Sequence, residues 1–132
     1  MTYLVDTHIV IFALYGSPLL RPHIDSLITD PENTILVSAV SFWEIAIKNA
    51  LGKFRLEGMT MDDLPALCEQ LGFITISLTP QETSSYQRMP LTAHKDPFDR
   101  MLVWQALRRG IPLISRDRRL TCYQSTGVRI IW

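Results

Sequence analysis

The chain of 132 residues is short of the features that most readily announce a function. Its two cysteines, Cys68 and Cys122, lie far apart among apolar neighbours. That excludes a disulfide framework and a thiolate metal site, and predicts reduced, partly buried thiols with no catalytic role. Of the three histidines, His23 and His94 have no partner at metal-ligand spacing. No apolar run approaches the ~18 residues that span a bilayer, and Tyr3-Leu4-Val5-Asp6 follows the N-terminus with neither a basic region nor a small-residue cleavage site. A soluble, cytoplasmic protein is expected. Repeats, low-complexity tracts and linkers are also missing, so residues 1–132 are expected to form a single domain.

Net charge is missing too, at +0, which excludes a uniformly positive surface. The balance is uneven along the chain, however. Acids prevail up to Gln87, whereas from Arg88 onward a series of arginines and Lys95 faces only Asp96, Asp99 and Asp117. A basic surface around a few acids suits a phosphodiester-cutting site, because the polyanionic backbone must be held while a cation is bound among carboxylates. An arginine-rich solvated face has the same composition.

What the chain does contain is alternation. Short apolar or β-branched runs at Tyr3–Val5, Thr34–Val37, Phe73–Ile76, Ile111–Ile114 and Val128–Ile131 read as buried strands. Helical segments lie between them. One covers about Ala39 to Leu51, with Ser38 before it and Gly52 after; a second runs from Met61 to Leu71, between Thr60 and Gly72. A third runs from Pro97 to Arg109, with Asp96 as N-cap, Pro97 at the first helical position and Gly110 as terminator. Shorter helices are expected after Asp6, Ser17, Thr79 and Asp117. Strands alternating with helices predict an α/β fold, with a mainly parallel five-stranded sheet covered by helices on both faces. Met89 to Lys95 is the least regular stretch and reads as a mobile loop.

Five acids occupy telling places. Asp6 follows the first strand directly and Asp117 comes three residues after Ile114, so both converge at the carboxyl edge if the first and fourth strands are neighbours. Asp99 falls in the first turn of its helix and Asp96 at its start, where free backbone N–H groups stabilise an anion. Glu44 sits within Val40-Ser41-Phe42-Trp43-Glu44-Ile45-Ala46-Ile47, which reads as apolar nearly all round and largely buried. Taken singly, each acid also has a structural role: caps at Asp6, Asp96 and Asp117, a dipole partner at Asp99, and an i,i+4 ion pair from Glu44 to Lys48. Taken together, hard oxygen donors without a His or Cys framework select Mg²⁺ or Mn²⁺ and point to phosphodiester hydrolysis.

Four segments carry a resemblance: Leu4-Val5-Asp6-Thr7-His8, Val37 to Lys48, His94-Lys95-Asp96-Pro97-Phe98-Asp99-Arg100-Met101-Leu102, and Ile114-Ser115-Arg116-Asp117. In order and interval they resemble the PIN domain, specifically the toxin nucleases of VapBC toxin–antitoxin modules. The resemblance implies a PIN-like three-layer fold, a Mg²⁺ or Mn²⁺ site made by Asp6, Glu44, Asp99 and Asp117, and endoribonuclease activity on RNA such as tRNA or rRNA. It further implies homodimerisation and a small cognate antitoxin. Asp96 matches an extra acid of one subgroup, and Ser115 matches a hydroxyl that supports the fourth acid. Lys48, Arg100, Arg116 and Arg118 are the candidates for holding RNA. Arg116 and Arg118 flank Asp117, where they either pair with it or steer RNA.

Other residues read as structural. His8 lies two residues after Asp6, within reach of a phosphate or the metal, but is expected to hydrogen-bond within the first helical turn. The three tryptophans could stack bases, but Trp43 and Trp104 are expected to lie in the core, with Trp132 closing the core or a dimer. The first helices, with Ile9, Val10, Ile11, Phe12, Leu14, Leu19 and Leu20, carry enough apolar surface to receive an antitoxin or a second subunit. Two other functions use the same acids. An aspartyl-phosphate phosphatase needs a phosphate-binding Lys after a strand, which this chain lacks. A non-catalytic binding module of the same fold would act by contact alone.

Overall fold

A computed structural model describes residues 1–92 and 94–132. Five parallel strands lie in the order β3-β2-β1-β4-β5, with β1 at Thr2–Val5, β2 at Thr34–Ser38, β3 at Ile74–Ile76, β4 at Leu113–Ile114 and β5 at Ile130–Ile131. The expected α/β architecture is therefore present, and the sheet is parallel throughout. β4 is shorter than the apolar run that encodes it. Pro112 has no N–H to donate to a ladder, although its carbonyl still accepts from the Leu4 N–H at 2.9 Å.

Because side chains alternate along a strand, β1 feeds two cores. Tyr3 and Val5 join an apolar cluster with Ile9, Val10, Ile24 and Val37, covered by α1 (Thr7–Tyr15), α2 (Pro22–Thr29) and α4 (Leu64–Gln70). Leu4 joins Leu102, Val103, Trp104 and Leu113 on the other face, under α6 (Pro97–Arg109), which follows α5 (Pro80–Ser85), and under the 3₁₀ segment Arg118–Thr126. The apolar surplus of the first helices is largely absorbed in this way. Ile9, Val10, Phe12 and Leu20 are buried, and Tyr15 and Leu19 are the exposed exceptions.

Between β2 and α4 runs α3 (Ala39–Ala50), capped by the Ser38 side chain on the Val40 N–H. It is less buried than its apolar sequence suggests: Val40, Ser41, Glu44 and Ile45 face inward, while Trp43 is 60% exposed, contrary to the core position expected for it. The segment from Met61 divides into a 3₁₀ turn to Asp63, boxed by Thr60 and Asp63, and then α4. Cys68 is buried as expected, with its thiol pushed up to about 11 by burial, but Cys122 is exposed.

α6 begins and ends where its sequence says. Asp96 accepts from the N–H groups of Phe98 and Asp99, Pro97 opens the helix, and Gly110 at φ 65° closes it in the left-handed conformation. The preceding Met89–Lys95 stretch is irregular but tethered. Met89 and His94 are buried, and Arg100 reaches back to hold the Pro90 and His94 carbonyls and the Thr92 hydroxyl. Ala93 in this stretch lies outside the described residues.

Candidate active site

Register decides what meets at the carboxyl edge of the sheet. Val5 pairs with Val37 on one side and Ile114 on the other, so the next residues, Ser38, Asp6 and Ser115, form a row at the crossover between β1 and its two neighbours. Asp6 is 3% exposed and caps α1, accepting from the Ile9 N–H at 3.1 Å. Burial pushes its carboxyl up, and the charge of Glu44 adds to this; the Ser115 hydroxyl and the Ile9 N–H pull the other way.

Glu44 comes down from α3 into the same space and is 2% exposed. Thr7 donates its hydroxyl to Oε1 at 2.6 Å, and Lys48 pairs with Oε2. The Lys48 ammonium is lowered by burial, but the hydrogen bond and charge of Glu44, with the charges of Asp96 and Asp99, outweigh that and raise it. Both readings of Glu44 therefore hold at once, since it is buried and also ion-paired one turn along its helix.

Asp99 enters from α6. Its carboxyl is pushed up to about 6, first by burial and then by the negative charges of Asp96, Glu44 and Asp6, against a smaller opposing effect of His94. The His94 Nε2 stands 3.1 Å from Asp99 Oδ2. Asp6, Glu44, Asp96 and Asp99 thus share one electrostatic neighbourhood, with Asp96 committing Oδ1 to its helix cap.

Asp117 stands at the rim. Ser115, rather than Asp117, faces Asp6, and the Asp117 N–H donates to the Ser115 hydroxyl at 3.1 Å. The Asp117 carboxylate is gripped by the Arg119 fork, with Nε at 3.0 and 3.2 Å and Nη2 at 2.7 Å, which lowers its pKa despite partial burial. Arg119 in turn feels Asp99 and Asp96, and with His94, Lys95 and Asp96 it lines a cavity of about 320 Å³ beside the acids.

Of the cations expected to hold RNA, Arg100 is elsewhere. It is 7% exposed and its guanidinium donates to Tyr86, Tyr123, Thr92 and the Pro90 carbonyl, so it is a structural hub beneath the site. Lys48 is half-buried on Glu44, whereas Arg116 and Arg118 are exposed, Arg116 resting over the Phe12 ring at 5.1 Å. It is Arg119, not its neighbours, that pairs with Asp117. Thr7, His94 and Arg119 are the site residues that sequence reasoning missed. Thr7 directly follows Asp6 and Arg119 lies two residues after Asp117, but their partners depend on side-chain direction; the reach of His94 to Asp99 depends on the path of an irregular loop.

The donor set suits a hard divalent cation, because it is all carboxylate and hydroxyl oxygen, and the Asp6 and Asp99 carboxyls are raised by burial with the charges of neighbouring acids adding to it, a penalty that a bound cation would relieve. Among the described residues no three such groups stand ready in coordinating positions. Glu44 leans on Lys48, Asp99 on His94 and Asp117 on Arg119. The fit is thus one of donor chemistry and location, and binding would require these pairs to rearrange.

Comparison with known proteins agrees with the topology. Residues 3–123 match the family model of the PIN domain. The chain is 24% identical over 131 residues to ribonuclease VapC22 of Mycobacterium tuberculosis, covering 99% of this chain and 98% of that protein. Among solved structures, VapBC2 of Rickettsia felis bound to a DNA fragment from their promoter matches with a TM-score of 0.66 at 14% identity, covering 98% of this chain and 97% of that one. FitAcB of Neisseria gonorrhoeae matches with a TM-score of 0.60 at 21% identity, over 98% and 96%.

Proposed function

Because the chain belongs to the PIN domain family, we propose that it is a divalent-metal-dependent endoribonuclease and the toxin partner of a VapBC-type pair. The observation that carries this reading is the gathering of Asp6, Glu44, Asp96 and Asp99 from β1, α3 and α6 at one edge of the sheet, with Asp117 at its rim. The name of the VapC22 ribonuclease supports RNA as substrate, and the VapBC neighbours support an antitoxin partner. Homodimerisation and a cytoplasmic setting belong to the same proposal.

Asp6, Glu44, Asp99 and Asp117 would hold Mg²⁺ or Mn²⁺, with the free oxygen of Asp96 as a further donor. When bound, the ion supplies an acidified water and offsets charge on the phosphoryl oxygens. Thr7 and Ser115 orient Glu44 and Asp6. Lys48 and Arg119, once released from their carboxylates, neutralise substrate phosphate, and the exposed Arg116 and Arg118 extend that basic rim. The apolar cores behind β1 and α6 keep water from the inner side of the acids.

The expected result is cleavage of structured RNA in Mg²⁺ or Mn²⁺, abolished by EDTA and by Asp6→Asn or Asp99→Asn with circular dichroism unchanged. Cleavage that survives chelation and both substitutions refutes the mechanism. The ion pairs on Glu44 and Asp117 favour one second reading, a PIN-fold module that binds RNA or protein without cutting. Growth inhibition retained by the Asp6→Asn variant would support that reading instead.

A further inference from the structure

We propose that Trp43, braced by Phe98, is a stacking platform for an unpaired base beside the phosphate to be cut; the proposal rests on the nuclease reading above. A tryptophan in an apolar helix is ordinarily core. Here α3 turns Glu44 inward to 2% exposure and leaves its neighbour Trp43 at 60%. The indole is nevertheless held. Its ring lies 5.2 Å from that of Phe98 with the planes at 77°, and Phe98 is itself half-buried against the core beneath α6. A nearly perpendicular neighbour cannot cover both faces of the indole, and the 60% exposure of Trp43 leaves ring surface for a planar ligand.

Position ties this face to the acids. Trp43 immediately precedes Glu44 and Phe98 immediately precedes Asp99, so the aromatic pair bridges the two helices that deliver those carboxylates. Cations share the same rim: the charge on Lys48 is felt from Asp96 and Asp99, and Lys95 and Arg119 line the adjoining cavity. Aromatic faces set beside a basic track are how single-stranded nucleic acid is held without sequence readout. Leu51, two turns further on at the C-terminal cap of α3 and 63% exposed, makes protein docking the rival occupant. One indole contributes at most ~250 Å² of the ~800 Å² per partner that a stable interface buries; its neighbours one turn away on α3 are apolar, but across Phe98 it adjoins the α6 turn that carries Asp96 and Asp99. The observations favour a base.

The test titrates wild-type protein with a 2′-O-methylated pentanucleotide in Ca²⁺ and follows tryptophan emission. Trp104 is buried and Trp132 half-buried, so Trp43 is the residue most open to quenching. The expected result is quenching that disappears in Trp43→Phe, with affinity nearly retained in that variant but about 5- to 150-fold weaker in Trp43→Leu. Abasic substitution of the stacked nucleotide should abolish quenching with an unchanged salt slope, because the phosphates remain. Normal oligonucleotide affinity in Trp43→Leu overturns the platform, as does a Trp43→Leu variant that loses only a protein partner or its self-association. If wild-type protein binds no oligonucleotide at all, the nuclease reading fails with it; metal-dependent cleavage with unaltered affinity in Trp43→Leu overturns the platform alone.

Discussion

Asp99→Asn should make the metal-free protein more stable at neutral pH while destroying its proposed activity. The Asp99 carboxyl is pushed from 3.8 up to about 6 because burial and the charges of Asp96, Glu44 and Asp6 penalise its ionised form. Between those two values the folded chain retains a proton that the unfolded chain has released, so wild-type stability falls as pH rises across this window. A shift of roughly 2 units corresponds to about 3 kcal/mol, an upper figure for a side chain that keeps some solvent contact. Asparagine removes the charge and still offers an oxygen to His94. In EDTA at pH 7.5, a gain of about 1–3 kcal/mol should raise Tm by roughly 4–12 °C. Near pH 3.5 the variant and wild type should melt nearly together, since the wild-type carboxyl is then largely protonated in both states. Saturating Mn²⁺ should reverse the order, because only wild type retains the full donor set and ligand binding stabilises the folded state. Differential scanning calorimetry across pH, with and without metal, decides the matter. A variant less stable than wild type at pH 7.5 in EDTA, or a gain of equal size at pH 3.5, refutes the account of Asp99 as a carboxylate held against repulsion.

Two further predictions concern the scaffold. Arg100→Met should destabilise the fold by about 3–5 kcal/mol in urea titration, because it strips a buried guanidinium from the Tyr86 and Tyr123 hydroxyls and the Pro90 and His94 carbonyls, and although Tyr123 and Thr92 still donate to the His94 carbonyl, Tyr86 and Pro90 lose the Arg100 donor. A loss below ~1 kcal/mol would mean the network is solvated and expendable. Gly110→Ala should cost about 1 kcal/mol by the same measurement, since Gly110 sits at φ +65° with open space around its Cα, so the penalty is backbone conformation without steric clash.

Local chemistry made much of this protein legible in its sequence. The Asp96-Pro97 start and Gly110 stop of α6 are properties of three residues and their neighbours, and the structure shows them as read. The alternation of strand and helix likewise leads to a parallel sheet, and Asp6 at the end of β1 follows from one strand boundary. Glu44 was conspicuous because a carboxylate inside an apolar helix needs a partner, and it has two, Thr7 and Lys48.

Tertiary structure decided the rest, for a physical reason. Whether a residue on a helix faces in or out depends on which faces neighbouring elements cover, so Trp43 was expected inside and Arg100 outside, and the fold reverses both. Hydrogen bonds between distant segments obey the same rule. The turn after β4 sets Ser115 against Asp6 and hands Asp117 to Arg119, and an irregular loop lays His94 on Asp99. The sequence by itself determined which residues carry charge, which segments become strand or helix, and where α3 and α6 begin and end, because those depend on a few bonded neighbours. Strand register and packing alone determined that Asp6, Glu44, Asp96 and Asp99 share one low-dielectric space, since that proximity depends on contacts between residues up to 93 positions apart, Asp6 to Asp99.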